Sequence, residues 1–175
     1  MTGRLQPVPR DRVGIRRLSA PRGDAIPNND RYPALVYPGV LGGANAPADI
    51  HALYARNGWG GGWTWEVFPF HHFHPDAFEA LAVASGSARL MLGGPQGEEI
   101  DVQAGDVIVL PPGYGHRLIE KRDGFAVCGA YPAGQEDYTT LRDSDGYDDD
   151  VLAEMRRVPP PERDPIHGLP YAETA

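Results

Sequence analysis

Three histidines and one glutamate in this chain stand at spacings that suit a metal ion. His72 and His74 flank Phe73, Glu79 follows after four more residues, and His116 comes just after Pro111-Pro112-Gly113. The stretch from Phe68 to Phe73 is aromatic and apolar, with Trp63 and Trp65 upstream, and this composition predicts a strand. On a strand, alternate residues share a face, so His72 and His74 point one way while His71 and Phe73 point the other. Their Cα atoms then lie ~6.7 Å apart, close enough for two imidazoles to meet one ion at roughly 2.0–2.2 Å from each nitrogen. Pro75-Asp76 predicts a turn and Glu79 opens a returning strand, on which Glu79, Leu81 and Val83 share an inward face. A lone carboxylate there would cost several kcal/mol to desolvate. A cation, or a hydrogen-bonded imidazolium, removes that cost. His116 and Leu118 share a face of the strand that follows the proline turn.

Three imidazoles and a carboxylate form a mixed nitrogen and oxygen set. It suits one divalent transition metal per chain: Fe, Mn, Ni, Zn or Cu, without choosing among them. A single histidine in an apolar strand is ordinarily a satisfied core residue. The combination of His-x-His, a spaced Glu and a later Gly-x-x-His is what points to a site. His71 falls on the opposite face by parity and stays outside the set.

These stretches resemble the two motifs of the cupin superfamily. The first has the form G-x5-H-x-H-x3,4-E-x6-G, and His72, His74, Glu79 and Gly86 match it, with Glu66 where the leading Gly would stand. The second has the form G-x5-P-x-G-x2-H-x3-N, and Gly105, Pro111, Gly113 and His116 match it, with Glu120 in place of the closing Asn. Ile26-Pro27-Asn28-Asn29, Asn57-Gly58-Trp59-Gly60-Gly61, the His71-His72 doublet, Gly129-Ala130-Tyr131-Pro132 and Arg163-Asp164-Pro165 are similar to a YjlB-like, single-domain bacterial branch. The resemblance spans residues ~25–170. Phe78 stands where that branch carries a further His before the Glu, which implies a greasier flank to the site.

The resemblance implies a mainly β fold, a cupin-type jelly-roll β-barrel with short flanking helices, and a homodimer as the common assembly. It also implies His72, His74, Glu79 and His116 as metal ligands, with Glu79 doubling as a proton carrier. Tyr114, two residues before His116, is expected at the pocket mouth as a further catalytic hydrogen-bond donor. Cupins host dioxygenases, isomerases, decarboxylases and sugar binders, so the fold leaves the reaction open. Iron would bring O₂-dependent oxidation, the chemistry of an oxidoreductase; Mn, Ni or Zn would bring Lewis-acid chemistry. A non-catalytic module for a small ligand or sugar is the rival reading. A purely structural protein, its cavity filled by Phe70, Phe73 or Phe78, is a third.

The rest of the chain bounds these readings. Its 175 residues suit one domain, and 22 Gly with 18 Pro suit many short strands joined by turns. A net charge of −8 argues against nucleic acid as a partner. No apolar run approaches ~18 residues and no signal core opens the chain, so no membrane partner and a cytoplasmic location are expected. Cys128 is the one cysteine, which excludes an intrachain disulfide.

In order along the chain, residues 1–24 read as a basic, flexible arm, and residues 25–170 as the cupin domain. Pro47 to Asn57 predicts a helix with Ile50, Leu53 and Tyr54 on its apolar face. The Gly60-Gly61-Gly62 run lacks the Lys-Ser/Thr of a phosphate loop and reads as a bend. Parity puts Trp63 and Trp65 away from His72, in the core or a subunit interface. Asp143 to Asp150 has its Gly at the wrong position for a calcium loop and reads as the acidic start of a helix from Asp149. The tail with His167 is expected to run extended.

Overall fold

A computed structural model describes residues 4–175. Nine strands form one curled antiparallel sheet. They are β1 (Arg16–Leu18), β2 (Ala34–Tyr37), β3 (Trp59–Trp65), β4 (His72–Phe73), β5 (Glu79–Leu92), β6 (Glu98–Gln103), β7 (Val107–Leu110), β8 (His116–Pro132) and β9 (Leu141–Arg142). The order is β1-β2-β7-β5-β8-β4-β9, with β3 added on β8 and β6 on β5. Three helices flank it: α1 (Pro47–Arg56), α2 (Asp149–Arg157) and α3 (Tyr171–Thr174). This is the mainly β, cupin-type fold with few short helices.

Alternation along the strands makes two cores. Ala80 and Ala82 of β5, with Val107 and Val109 of β7, face α1 and pack with Ile50, Leu53 and Tyr54. Leu81 and Val83, with Ile108 and Leu110, face the curled interior beside Leu118 and Val127. Pro47 at the helix start and Asn57 at its end bound α1 as expected.

Strands β5 and β8 are the longest, at 14 and 17 residues. Gly86 lies inside β5 at φ +69°, where a Cβ would meet the Arg122 carbonyl oxygen at 2.5 Å. Only glycine allows that approach. The pairing of β5 with β8 shifts register on both sides of Ser85, so the chain bends through a bulge instead of reversing.

Other readings also change. Phe68 to Phe73 is a strand only at His72–Phe73, because Pro69 has no N–H to give a ladder. The glycine run is part of β3, slipping register against β8 between Gly60 and Trp63. The tail is not extended: Arg163 bridges Pro170 and α3 follows.

Residues 4–24, read as a loose basic arm, lie against the sheet. Leu18 is buried as β1 pairs with β2, and Val8 N–H donates to the Val40 carbonyl. Basic composition reported only its exposed face; Val13 and Leu18 are buried. The first three positions of the arm lie outside the described residues.

Several of the branch motifs act as clasps. Asn28 donates through Nδ2 to the carbonyls of Pro21 (2.8 Å) and Gly93 (3.0 Å), and its Oδ1 accepts from Gly115 N–H (3.1 Å). Asn57 donates to the carbonyls of Pro165 and Ile166, while Asp164 accepts from the N–H groups of Ile166, His167 and Leu169.

Candidate functional site

The site is built where β4, β5 and β8 meet. His72 on β4 pairs directly with His116 on β8, and Leu92 of β5 pairs with His116 from the other side. His74 lies just past β4, its carbonyl accepting from Gly113 N–H at 2.9 Å. The proline turn before His116 and the end of the His-x-His segment are therefore tied together. Glu79 is the first residue of β5, opposite Leu110. All four side chains are buried.

The imidazole nitrogens of His72, His74 and His116 lie within 4.8 Å of one another, a span that one ion can serve at roughly 2.0–2.2 Å from each with small adjustment. Each ring is oriented by its far side. Nδ1 of His72 faces the Phe70 carbonyl at 3.0 Å, that of His74 faces Thr139 at 2.9 Å, and that of His116 faces Tyr114 at 3.3 Å. A carbonyl oxygen only accepts, so the ring hydrogen belongs on Nδ1 and Nε2 keeps its lone pair. Asp76 completes the support by accepting from Thr139 N–H and Oγ1–H.

Glu79 sits against two of these rings, Oε2 at 3.2 Å from His74 Nε2 and Oε1 at 3.1 Å from His116 Nε2, and lies outside the three-imidazole group itself. Oε1 carries no aligned hydrogen bond although it is buried. Lone pairs facing a carboxylate at that distance need a positive charge between them, either a proton on a ring or a metal ion. The electrostatics follow this. Burial favours protonating Glu79, but the charge of His74 and the close approach of the His116 and His74 rings outweigh it and hold the carboxyl well below its usual range. Burial pulls His74 down, yet the Glu79 charge and hydrogen bond raise it overall. His72, desolvated and beside His116, is pushed down to about 2. The donor set fits a divalent cation: neutral imidazoles pre-turned by backbone carbonyls and an ionised carboxylate with a free oxygen.

A third partner was not legible as a site residue. Tyr131 on β8 donates its hydroxyl hydrogen to Glu79 Oε2 at 2.6 Å and accepts from Trp63 Nε1–H at 2.8 Å. Burial and the Glu79 charge push the phenol far above its ordinary range, so it stays a donor. Its only sequence signal was membership of Gly129-Ala130-Tyr131-Pro132.

The site opens into a cavity of about 240 Å³ whose wall includes Trp63, Trp65, Val67, Phe68, Leu81 and Tyr138. Trp63 and Trp65, expected on the opposite side from His72, are thus on the cavity wall. The chain leaves the sheet between Trp65 and His72, so alternation does not carry across. Tyr114 is also corrected. Its phenol is buried in the interior core and is not on the cavity wall. Burial, then the charge of Glu98, pushes it up to about 12. What Tyr114 contributes is its carbonyl, against His116. Phe78 does not grease the site: it points to the other core, edge-on to Tyr32 and Tyr171. His71 stays outside the imidazole group.

A curled antiparallel sheet with three imidazoles and a carboxylate at its opening defines the double-stranded β-helix class. Comparison with known proteins agrees. Residues 64–128 match the family model described as Cupin domain. The chain is 32% identical over 149 residues to the Bacillus subtilis (strain 168) protein named uncharacterized protein YjlB, covering 85% of this chain and 87% of that one. The chain belongs to the cupin family, in the branch that includes YjlB.

Among solved structures, an acireductone dioxygenase from Bacillus anthracis with cadmium in its active center is 19% identical at a TM-score of 0.37. The match covers 51% of this chain and 60% of the dioxygenase. An uncharacterized conserved double-stranded β-helix protein from Klebsiella pneumoniae subsp. pneumoniae is 13% identical at a TM-score of 0.38, covering 81% and 83%. Among the described residues no helix is long and apolar enough to cross a membrane.

Proposed function

We propose that this cupin holds one divalent transition metal on His72, His74, His116 and Glu79, and acts as a mononuclear metalloenzyme on a small organic molecule bound in the adjoining cavity. The observation that carries the reading is the orientation of the three rings. Each Nδ1 is turned onto a backbone carbonyl, the three imidazoles converge, and the Nε2 atoms of His74 and His116 meet the buried, ionised carboxylate of Glu79. When bound, the metal would supply Lewis acidity or redox chemistry, according to its identity. The chain's own residues do the rest. Among the described residues Glu79 is the one buried carboxylate on the cavity wall, placed to take up a proton from a ligand there. Tyr131 keeps a proton on Glu79 Oε2's side of the site. Trp63, Val67 and Leu81 exclude water from the wall.

Two features weigh against the rival readings. Phe73 and Phe78 lie in packing away from the cavity, and Phe70, stacked on Phe68 and edge-on to His72, is not among its wall residues, so the cavity is not plugged as a relic would be. Beyond the four candidate ligands, the wall is dominated by apolar and aromatic side chains, the lining usual for a site that takes a small organic molecule. The homodimer stands as a proposal alongside, checked by sedimentation.

Elemental analysis of protein purified without an affinity-tag metal tests the centre, alongside a His72→Ala/His74→Ala variant. Near-stoichiometric metal in the parent, lost in the variant, is expected. A parent that stays metal-free after incubation with Fe(II), Mn(II), Ni(II), Cu(II) and Zn(II) ends the enzyme reading. Oxygen uptake by the Fe(II)-loaded protein then separates oxidation from Lewis-acid chemistry.

A further inference from the structure

The cavity wall differs from the rest of the surface in two ways. Trp65 is 51% exposed and Phe68 37% exposed, and these are two of only four large apolar side chains left exposed among the described residues. Both flank the same opening. They are also coupled to the site: Trp65 and Phe68 meet edge-to-face at 5.3 Å, and Phe68 meets His72 edge-to-face at 5.1 Å. Inside, Tyr131 and Tyr138 stack at 4.0 Å with 23° between their planes.

The second difference is charge. No lysine or arginine lines the cavity; its charged groups are Glu66 and Glu79 and any protonated histidine. Two basic side chains close to the wall are already paired. Lys121 pairs with Glu66, and the Arg142 guanidinium lies 3.7 Å over the Phe70 ring. A carboxylate or phosphate on the end of the ligand turned away from the three histidines would lose its water and meet no lysine or arginine on the wall. Size sets a third limit. About 240 Å³ exceeds the ~150 Å³ that houses benzene in an apolar cavity, leaving room for one ring and a few further atoms.

We infer that the substrate is a flat, monocyclic aromatic or comparably flat apolar compound, uncharged apart from vicinal oxygen donors that face His72, His74 and His116. A second charge on the ligand, turned toward the wall, is disfavoured because it meets no lysine or arginine there. The inference rests on the metal-centre reading for the oxygen donors alone; the ring-sized, uncharged body follows from the wall.

The test uses two probes with one chelating head and nearly equal size, 4-methylcatechol and 3,4-dihydroxybenzoate. Zinc-loaded protein is titrated with each, following tryptophan fluorescence and calorimetry. 4-Methylcatechol is expected to bind at least about ten-fold more tightly than its carboxylated counterpart. A Trp65→Ala variant should lose most of that preference while its zinc content and oligomeric state hold. Equal or reversed affinities overturn the inference. So does a Trp65→Ala variant that changes sedimentation but leaves both affinities alone, because Trp65 then covers a second copy of the chain. If the protein retains no zinc, the metal reading fails by itself. The same pair of titrations on the metal-free protein then decides this inference: a preference for the uncharged probe sustains it, and none discards it.

Discussion

Tyr131 gives its hydroxyl hydrogen to Glu79 across 2.6 Å, joining the far end of β8 to the first residue of β5 inside the site. The same phenol oxygen accepts the indole hydrogen of Trp63, so cavity wall and carboxylate share one hydrogen-bonded chain. Tyr131→Phe removes both bonds with little change of volume. Groups that orient a metal ligand typically carry about 10–100-fold in metal affinity, and a loss of that order is expected, read by competition with a chelator. The metal-free variant should also lose about 1 kcal/mol in urea, since a partly buried indole N–H loses its partner. An affinity equal to that of the parent would show that Glu79 holds its place unaided.

Tyr114→Phe provides the contrast. Its hydroxyl lies in the interior core and only its carbonyl reaches His116. Metal affinity in this variant should match the parent. A fall comparable to that of Tyr131→Phe would return the Tyr114 phenol to the site.

Protein stripped of metal should be most stable near pH 6.5. The folded state pushes His72 from 6.5 down to about 2, so the unfolded chain binds more protons below pH 6.5 and stability falls on acidification. This limb can reach ~1.4 kcal/mol per pH unit. Glu79 joins it below 4.5, because its folded value is depressed. His74 is raised in the folded state, so its contribution is whole below 6.5 and is lost as pH rises through the folded value. Adding a metal that the site accepts should flatten the alkaline limb, because a cation replaces the His74 proton. Denaturant midpoints across pH 4–9 (roughly the native range) check this, and a metal-free profile with no maximum would refute it.

Asn28 should matter for the site from outside it. It holds φ +54° and makes three hydrogen bonds, one to the N–H of Gly115 beside His116. Asn28→Ala is expected to cost about 1–3 kcal/mol from orphaned partners and a further ~1 kcal/mol from the left-handed backbone. Asn28→Gly relieves the backbone cost but not the lost bonds, so it should fall between parent and Ala. Equal stability of all three would remove Asn28 as a clasp.

The cost of burial in α1 is open to a plain check. Leu53 is buried among Ile50, Tyr54 and the small residues of β5. Leu53→Ala should destabilise by about 2–5 kcal/mol and leave metal content per folded chain unchanged. Loss of metal from the folded variant would mean that the helix supports the site directly.

Local chemistry alone determined much of this protein. Histidines two apart on an apolar stretch, a carboxylate on the inward face of a strand and a proline turn before His116 are short-range facts, and the structure gathers those four side chains together. The ends of α1, set by Pro47 and Asn57, and the alternation of Leu81 and Val83 with Ala80 and Ala82 were equally readable. Parity failed wherever the chain left the ladder. Between Trp65 and His72 it does so, and both tryptophans turned from the expected core or interface to the cavity wall.

Only the tertiary structure could choose Tyr131 over Tyr114. Position 131 is brought to Glu79 by pairing between strands, with Ala80 opposite Ala130, and nothing within a few residues of Tyr131 announces it. Likewise, the carbonyls of Phe70, Thr139 and Tyr114 that aim the three rings are carried by backbone geometry, which residue types do not encode one by one. Side-chain chemistry is local and is written in the sequence; orientation comes from long-range pairing, and exists only once the sheet has closed around it.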